Sequence, residues 1–239
     1  LLASSAASDV YKRQTYTDVF PGSTQGLSDP TVLSLYQDEP NGRIWIGTDG
    51  GGVNSLDPVT EEFRHDRSTW GDKVVSITGF TRESILLSVF SKGLFVYNKE
   101  NGKRKPLPID HPDLKQYIYY SGMAVNIYRD EPGSVLLLAG HTYRYDIGSQ
   151  KIRVVNEEEG MEIAGSMNAI AHNERFTYLH DSRTLYELDR TGNRLKKLFS
   201  CTGDTLLYSV SMDEKGDFWI GSNTGLGQYS ICLLYTSDA

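Results

Sequence analysis

The sequence has 239 residues, with 24 Lys and Arg against 31 Asp and Glu, so its formal net charge is −7. This acidic balance argues against nucleic acid as a partner of this segment, because a nucleic-acid-binding face needs a basic excess. No apolar run approaches the roughly 18 residues of a membrane span. The two cysteines, Cys201 and Cys232, fit no disulfide or metal-binding spacing. The 23 glycines and 11% aromatic residues favour a turn-rich β-protein.

The two ends of the chain share one pattern. Residues 7–14 (ASDVYKRQ) can be back-translated into a DNA segment whose reverse complement, read one base out of phase, encodes residues 232–239 (CLLYTSDA). The segment resembles a sequencing-library adapter, and such additions are left out of fold reasoning. We therefore interpret residues 1–14, with 1–3 the less certain part, and residues 232–239 as translated adapter, and residues 15–231 as the protein itself.

An internal repeat organises residues 15–231. The stretch from Val32 to Asp57 corresponds almost residue by residue to the stretch from Leu207 to Ser230, and three weaker copies lie between them. The aligned first-strand positions recur about every 40 to 50 residues, the size of one four-stranded propeller blade. They are Leu35, Ile77, Ile127, Ile170 and Val210. The repeats lie near residues 27–66, 72–108, 122–155, 167–199 and 206–231.

Each repeat contains short alternating apolar stretches bounded by Gly, Pro, Asn and Asp, which predicts four antiparallel β-strands per repeat. We therefore expect an all-β protein, a β-propeller fragment of about five blades in an incomplete ring. A β-sandwich is the alternative fold, although its strands would not recur with this period. One aligned position in the second strand should place a large side chain between adjacent sheets. It holds Trp45, Leu86, Leu136, Tyr178 and Trp219.

The third strand ends on an Asx residue in four repeats, for example Asp57 and Asn98. Such a side chain can accept hydrogen bonds from backbone N–H groups in the following turn and so close a hairpin. The residues expected to maintain the repeat are Trp45, Gly47, Asp57, Trp219 and Gly221.

The repeat resembles the two-component regulator propeller family. The resemblance rests on a hydrophobic-x-Ser-hydrophobic strand, an acidic-to-Gly turn, the motif Trp-Ile-Gly-Thr at residues 45–48, and glycines before a short strand that ends in Asp. Residues 26–32 (GLSDPTV) resemble the family's lead-in. The family implies the periplasmic sensor region of a Bacteroidetes hybrid two-component system, in a parent that is an inner-membrane-anchored dimer with a histidine kinase and further blades. Its members bind oligosaccharides.

Residues suited to catalysis or metal binding do not cluster in the sequence. The five histidines form no His-x-x-x-His pair, and glycines 50–52 lack the Gly-Lys-Ser/Thr of a phosphate loop. The run Glu157–Glu159 is typical of a solvated loop. We therefore expect no metal, no cofactor and no enzymatic activity in this segment.

Binding residues are expected at the edge of the sheets that carries the loops between second and third strands. At that loop position each repeat has a different residue, which is where specificity could be encoded. These residues are Asp49, Lys92, His141, Arg183 and Asn223. Aromatic residues in two blade connections could stack on sugar rings. They are Trp70, Tyr117, Tyr119 and Tyr120.

Three functions remain open. The first is a non-catalytic sensor segment that binds an oligosaccharide. The second is a propeller glycosidase or polysaccharide lyase, which would need acids and bases that converge on a central channel. The third is a protein-interaction scaffold that uses the same loop edge.

Overall fold

The computed structural model describes residues 26–38, 42–163 and 166–230. The interpretation of residues 1–14 and 232–239 as adapter sequence falls outside these ranges. The chain is all-β and contains five small antiparallel sheets in a propeller arrangement, one sheet per predicted repeat. It divides into two compact units, Leu1–Lys73 and Val74–Ala239.

The first unit contains sheet 1, which has the strand order β1-β2-β3-β4. Its strands are β1 (Val32–Gln37), β2 (Ile44–Thr48), β3 (Val53–Leu56) and β4 (Phe63–His65), and a 3₁₀ helix follows at Arg67–Thr69. The lead-in to β1 is tied to the sheet by Ser28, whose N–H donates to Asn54 Oδ1 at 3.0 Å and whose hydroxyl donates to the Gly51 carbonyl at 2.9 Å. These bonds explain why the lead-in and the glycine run occur together in the repeat.

The second unit contains sheets 2 to 5. Sheet 2 is β5 (Val74–Thr81), β6 (Ser84–Val89), β7 (Gly93–Asn98) and β8 (Arg104–Pro106). After helix α1 (Pro112–Tyr120), sheet 3 is β9 (Asn126–Glu131), β10 (Ser134–Ala139), β11 (His141–Asp146) and β12 (Ile152–Val154). Sheet 4 is β14 (Asn168–His172), β15 (Phe176–His180), β16 (Thr184–Asp189) and β17 (Arg194–Ser200), with β13 (Asn156–Glu157) added parallel to β17. Sheet 5 is β18 (Leu207–Met212), β19 (Asp217–Ser222) and β20 (Gly225–Ser230).

Successive sheets of the second unit pack face to face. The first strand of each sheet contacts the first strand of the next, in the pairs β5–β9, β9–β14 and β14–β18. A hydrophobic cluster fills each junction, between sheets 2 and 3, 3 and 4, and 4 and 5. Burial of these apolar faces is the main favourable contribution to folding, about 25 cal/mol for each Å² removed from water.

The large side chain in the middle of the second strand is the centre of this packing. Leu86 and Leu136 are fully buried, and Tyr178 packs edge-on against Phe218 of the next sheet at a centroid distance of 5.1 Å. Trp45 is also buried in sheet 1. The expectation is wrong for Trp219, which is 41% exposed, because no sheet follows sheet 5 within the described residues.

Asx residues close the hairpins between third and fourth strands. Asp57 Oδ1 accepts the Val59 and Thr60 N–H groups, and Asn98 Oδ1 accepts the Glu100 and Asn101 N–H groups. The local hydrogen bonds that the sequence predicts are therefore present. Asp146 and Asp189 form the same kind of bond.

Two connections differ from the prediction. The blade connection that contains Tyr117, Tyr119 and Tyr120, for which no helix was expected, forms the nine-residue helix α1. Glu157, expected in a solvated loop, belongs to β13, which leaves sheet 3 and pairs with β17 of sheet 4. The sequence does contain helix signals, since Pro112 occupies the first turn, Asp113 follows it, and Leu114 and Ile118 are spaced to share one buried side.

Replacement of Trp45 by Ala should lower the free energy of unfolding by about 3–5 kcal/mol, because it empties a buried site. Replacement of Trp219 at the equivalent, exposed position should cost less than about 1 kcal/mol. Urea titrations of the two variants measure the difference. Equal losses would contradict the burial assigned to Trp45.

The hairpin carboxylates should make the protein sensitive to acid. Hydrogen bonds from the Ser149 hydroxyl and N–H lower the pKa of Asp146 below its ordinary value of 3.8. The stability gained from this group is complete above the unfolded pKa and is lost as pH falls through the lower folded pKa. Asp146→Asn should therefore reduce the loss of stability below about pH 4, while Asn98→Asp, at the equivalent position, should increase it. Melting temperatures recorded from pH 2 to 7 test both, and the idea is wrong if the two profiles are parallel.

Candidate functional site

Helix α1 lies at the edge of the second unit where binding was predicted. In an antiparallel sheet the turn between second and third strands and the connection that leaves the fourth strand lie at the same edge, here called the loop edge. Leu114 and Ile118 anchor α1 in the hydrophobic cluster between sheets 2 and 3. The Ser121 hydroxyl donates to the Tyr117 carbonyl at 2.7 Å and closes the helix end.

Two tyrosines of α1 lie on glycines of neighbouring loops. A Cβ atom at Gly140 would be 2.9 Å from the Tyr117 ring, and a Cβ atom at Gly93 would be 3.0 Å from the Tyr119 hydroxyl. Both glycines also have positive φ, 69° and 112°. Helix α1 therefore packs on the second-to-third-strand loops of sheets 2 and 3. Tyr119 lies next to Gly93, which follows Lys92 in the sequence, and Tyr117 lies next to Gly140, which precedes His141.

The aromatic residues of α1 differ in how much surface they offer to a ligand. Tyr120 is 83% exposed and Tyr119 is 47% exposed, whereas Tyr117 is half-buried. Burial raises the pKa of the Tyr117 phenol, with the Ser166 hydroxyl opposing the shift. Tyr117 therefore supports the helix, and Tyr120 is the side chain available for stacking.

A second group of side chains surrounds His141. His141 Nδ1 lies 2.9 Å from Glu157 Oε2, while Glu157 Oε1 accepts the Thr142 N–H at 3.0 Å. The rings of His111 and His141 both pack edge-on against Tyr143, at centroid distances of 5.1 and 6.5 Å. Burial, followed by the charges of Asp113 and Glu157, raises the pKa of Tyr143, so its phenol is protonated at neutral pH. The group therefore offers an exposed imidazole whose orientation is fixed by a largely buried carboxylate.

The predicted loop residues of sheets 4 and 5 contact the connection between these two sheets. The guanidinium of Arg183 donates to the Gly203 carbonyl. Asn223 Oδ1 accepts the Leu206 N–H at 2.8 Å, and its amide donates to the Asp204 carbonyl at 2.9 Å. In both sheets the predicted binding residue therefore holds the backbone of this connection.

The remaining predicted residues lie in the first unit. Asp49 forms an ion pair with Lys73 at 3.1 Å, and the Arg67 guanidinium lies 5.5 Å from the centre of the Trp70 ring, which is 50% exposed. Asp49, like His141 and Arg183, contacts the connection that leaves its own sheet. The variable loop position is therefore used in several repeats to hold the blade connection.

The structure thus brings together Lys92, Tyr117, Tyr119, Tyr120 and His141 at one part of the loop edge. Sequence reasoning missed Glu157, His111 and Tyr143. Glu157 lies three residues after β12, in the connection that leaves the sheet of His141, and this position is the signal that could have pointed to it.

Within residues 26–38, 42–163 and 166–230 there is no group of three or more His, Cys, Asp or Glu side chains placed to hold a metal ion. In the same ranges no helix has the length and apolar character needed to cross a membrane.

The chain is similar to a known repeat family and to several solved structures. The family model for the two component regulator propeller matches residues 26–50. No curated protein sequence matches the chain. The extracellular domain of the putative hybrid two component system BT3049 from B. thetaiotaomicron is similar in structure, with a TM-score of 0.65 and 13% identity over 91% of this chain and 30% of that one.

Two further structures are similar. The extracellular domain of the putative one component system BT4673 from B. thetaiotaomicron has a TM-score of 0.64 and 13% identity over 83% of this chain and 26% of that one. YCF48 bound to D1 peptide has a TM-score of 0.62 and 12% identity over 90% of this chain and 71% of that one. The chain thus spans less than a third of the length of the two B. thetaiotaomicron domains. At these identities the likeness establishes the propeller fold.

The seating of α1 can be tested at Gly140. Gly140→Ala should lower the free energy of unfolding by on the order of 1–2 kcal/mol because the backbone is left-handed there. The loss should exceed this range because the new methyl group also meets the Tyr117 ring. Gly122→Ala is the matched control, since Gly122 also has positive φ but has no atom within 4 Å of the added Cβ. Urea titration should show a larger loss for Gly140→Ala, and Tyr117→Ala should remove the excess. Equal losses in the two glycine variants would argue against the contact.

Proposed function

We propose that this chain is a ligand-sensing propeller segment of a hybrid two-component regulator, located outside the cytoplasm in the periplasm, and that it binds an oligosaccharide without catalysing a reaction. The repeat matched at residues 26–50 and the likeness to the BT3049 extracellular domain support a sensor-type propeller. The observation that carries the ligand assignment is the exposed Tyr120 on a helix seated between the loops of sheets 2 and 3.

The chemistry of this edge suits a sugar chain. An exposed aromatic ring offers an apolar face to the C–H face of a pyranose, and Tyr119 adds a second, half-exposed ring. Lys92 is exposed in the adjacent loop, and the His141–Glu157 pair provides an oriented imidazole. Sugar hydroxyls can both donate to and accept from such groups. An oligosaccharide rather than a single sugar is favoured because these groups come from two neighbouring sheets.

The partners of the proposed sensor follow from the family resemblance. They are the remaining blades of the parent propeller and, through a membrane anchor and kinase region, a second copy of the parent. A ligand held between α1 and the loops of two sheets would stabilise their relative position, which is a change that a dimeric sensor can transmit.

Calorimetric titration against a panel of host and plant oligosaccharides tests the proposal. Tyr120→Ala should weaken binding of the best ligand by about 2- to 12-fold, because one stacking contact contributes about 0.5–1.5 kcal/mol. Tyr120→Phe retains the ring and should bind almost as well as the original chain.

The other functions give different results. Hydrolysis or elimination products in the same mixtures would favour a glycosidase or lyase. If no oligosaccharide binds but peptides do, the scaffold function is favoured, as the similarity to peptide-bound YCF48 allows. Equal affinity of the Tyr120→Ala variant would remove α1 from the ligand site.

A further inference from the structure

A cleft of about 460 Å³ lies beside sheet 4, at the edge opposite the loop edge. It is formed where β15 begins, where β16 ends and where β17 begins, so it is separate from α1 and from the loops discussed above. Its lining includes an aromatic ring and six charged side chains. They are Phe176, Glu158, Arg175, Glu187, Asp189, Arg194 and Lys196.

One of these charged side chains is buried with an unused hydrogen-bonding atom. Glu187 is 1% exposed, and its Oε1 lies 2.9 Å from the ammonium of Lys196, which is 40% exposed. Its Oε2 is buried and accepts no hydrogen bond from any described residue. A buried carboxylate oxygen without a donor costs free energy, so such an atom in a native fold needs an explanation.

The equivalent position in other sheets shows that the repeat does not require this arrangement. Ser55 in sheet 1 receives a hydrogen bond from Arg43 at 3.3 Å. Arg144 in sheet 3 forms a two-point ion pair with buried Asp130, at 2.9 and 3.0 Å. Gln228 in sheet 5 donates to Asp217 at 2.9 Å. Each of these polar side chains forms a hydrogen bond with a nearby side chain, whereas neither carboxylate oxygen of Glu187 accepts a hydrogen bond and only Oε1 has an ion-pair partner.

The charges of the cleft indicate what kind of molecule it would accept. The cleft is lined by three cationic side chains and three carboxylates, so its formal charges cancel. A ligand with a net charge would therefore gain little electrostatic attraction from the cleft as a whole. Asp189 holds Arg175 at 3.0 Å, and Arg175 lies 4.8 Å from the centre of the Phe176 ring. The side chains of Arg175 and Arg194 are 65% and 69% exposed, so they have N–H groups free to reach a ligand in the cleft. The cleft offers donors and acceptors in equal measure beside an apolar ring.

We propose that this cleft binds an uncharged polyhydroxylated molecule, such as a neutral monosaccharide unit. One ligand hydroxyl donates to Glu187 Oε2 once the Lys196 side chain moves aside, and neighbouring hydroxyls accept from Arg175 and Lys196. The size of the cleft lies within the range of small-molecule sites. The inference does not depend on the proposed ligand site at α1, because the two sites share no residue.

The test is a ¹⁵N-resolved NMR titration of the full chain with neutral methyl hexosides, and with glucuronic acid as the charged counterpart. A hexoside should shift the amide signals of Phe176, Asp189 and Gly192 with a saturable dependence on concentration. Glucuronic acid should shift them less. Failure of every hexoside to shift these signals, or a preference for glucuronic acid, overturns the proposal.

Variants separate the cleft from the α1 site and from a folding defect. Glu187→Gln should weaken the hexoside response at these amides about tenfold, and Glu174→Gln, an exposed neighbour outside the cleft, should leave it unchanged. Arg175→Ala removes an exposed side chain and should also weaken the response without loss of stability. Tyr120→Ala should not affect it. An unchanged response in both cleft variants overturns the proposal, and a response lost only in Tyr120→Ala assigns the sugar to α1.

Discussion

The packing of each sheet against the next through one large side chain in its second strand is the interaction on which the other features of the second unit depend. Leu86, Leu136 and Tyr178 are each at most 5% exposed, and the hydrophobic clusters around them fill the junctions between sheets. Because these side chains alternate with residues that face the other side of the strand, the register of the whole sheet follows from their burial. The two edges of the sheets are then left for turns and connections, where variation costs little stability.

The two edges are used differently. At one edge, Asx residues close each outer hairpin with hydrogen bonds to their own turn. At the loop edge, side chains reach from one element to another, as when Glu157 holds both His141 and the backbone of Thr142. Such longer-range contacts hold the blade connections in place. Helix α1 packs on the loops of sheets 2 and 3 at this edge, and Tyr120 is exposed to solvent there. The cleft at Glu187 shows that the first edge also contains polar surface that hairpin closure does not explain.

Much of the fold could be predicted from the sequence, because the repeat superimposes five copies of the same alternation and turn signals. The second-strand residues and the Asx hairpins follow directly from that alignment. Within the described residues a helix like α1 occurs in one connection only, so no second copy of the repeat indicates it, and its amphipathic pattern at Leu114 and Ile118 is short. Trp219 is 41% exposed although its local sequence matches that of Trp45, because local sequence does not encode whether a further sheet follows sheet 5.

The candidate sites were less accessible to sequence reasoning. The variable loop position could be identified, but its use in bracing the blade connections depends on partners far along the chain, such as Arg183 with Gly203. The acidic run Glu157–Glu159 predicts a solvated loop, whereas Glu157 belongs to β13, which pairs with β17 of the next sheet. Glu187 gives no signal in sequence, since only the missing donor at Oε2 distinguishes it from any other strand glutamate.

Hydrogen–deuterium exchange of the chain with and without a bound oligosaccharide tests the central claim, that a ligand is sensed where α1 is seated on the loops of sheets 2 and 3. Ligand should slow exchange in Pro112–Tyr120 and in the segment around His141 and Glu157, and leave β20 unchanged. Slowed exchange confined to other segments, with α1 unaffected at saturating ligand, would contradict the claim.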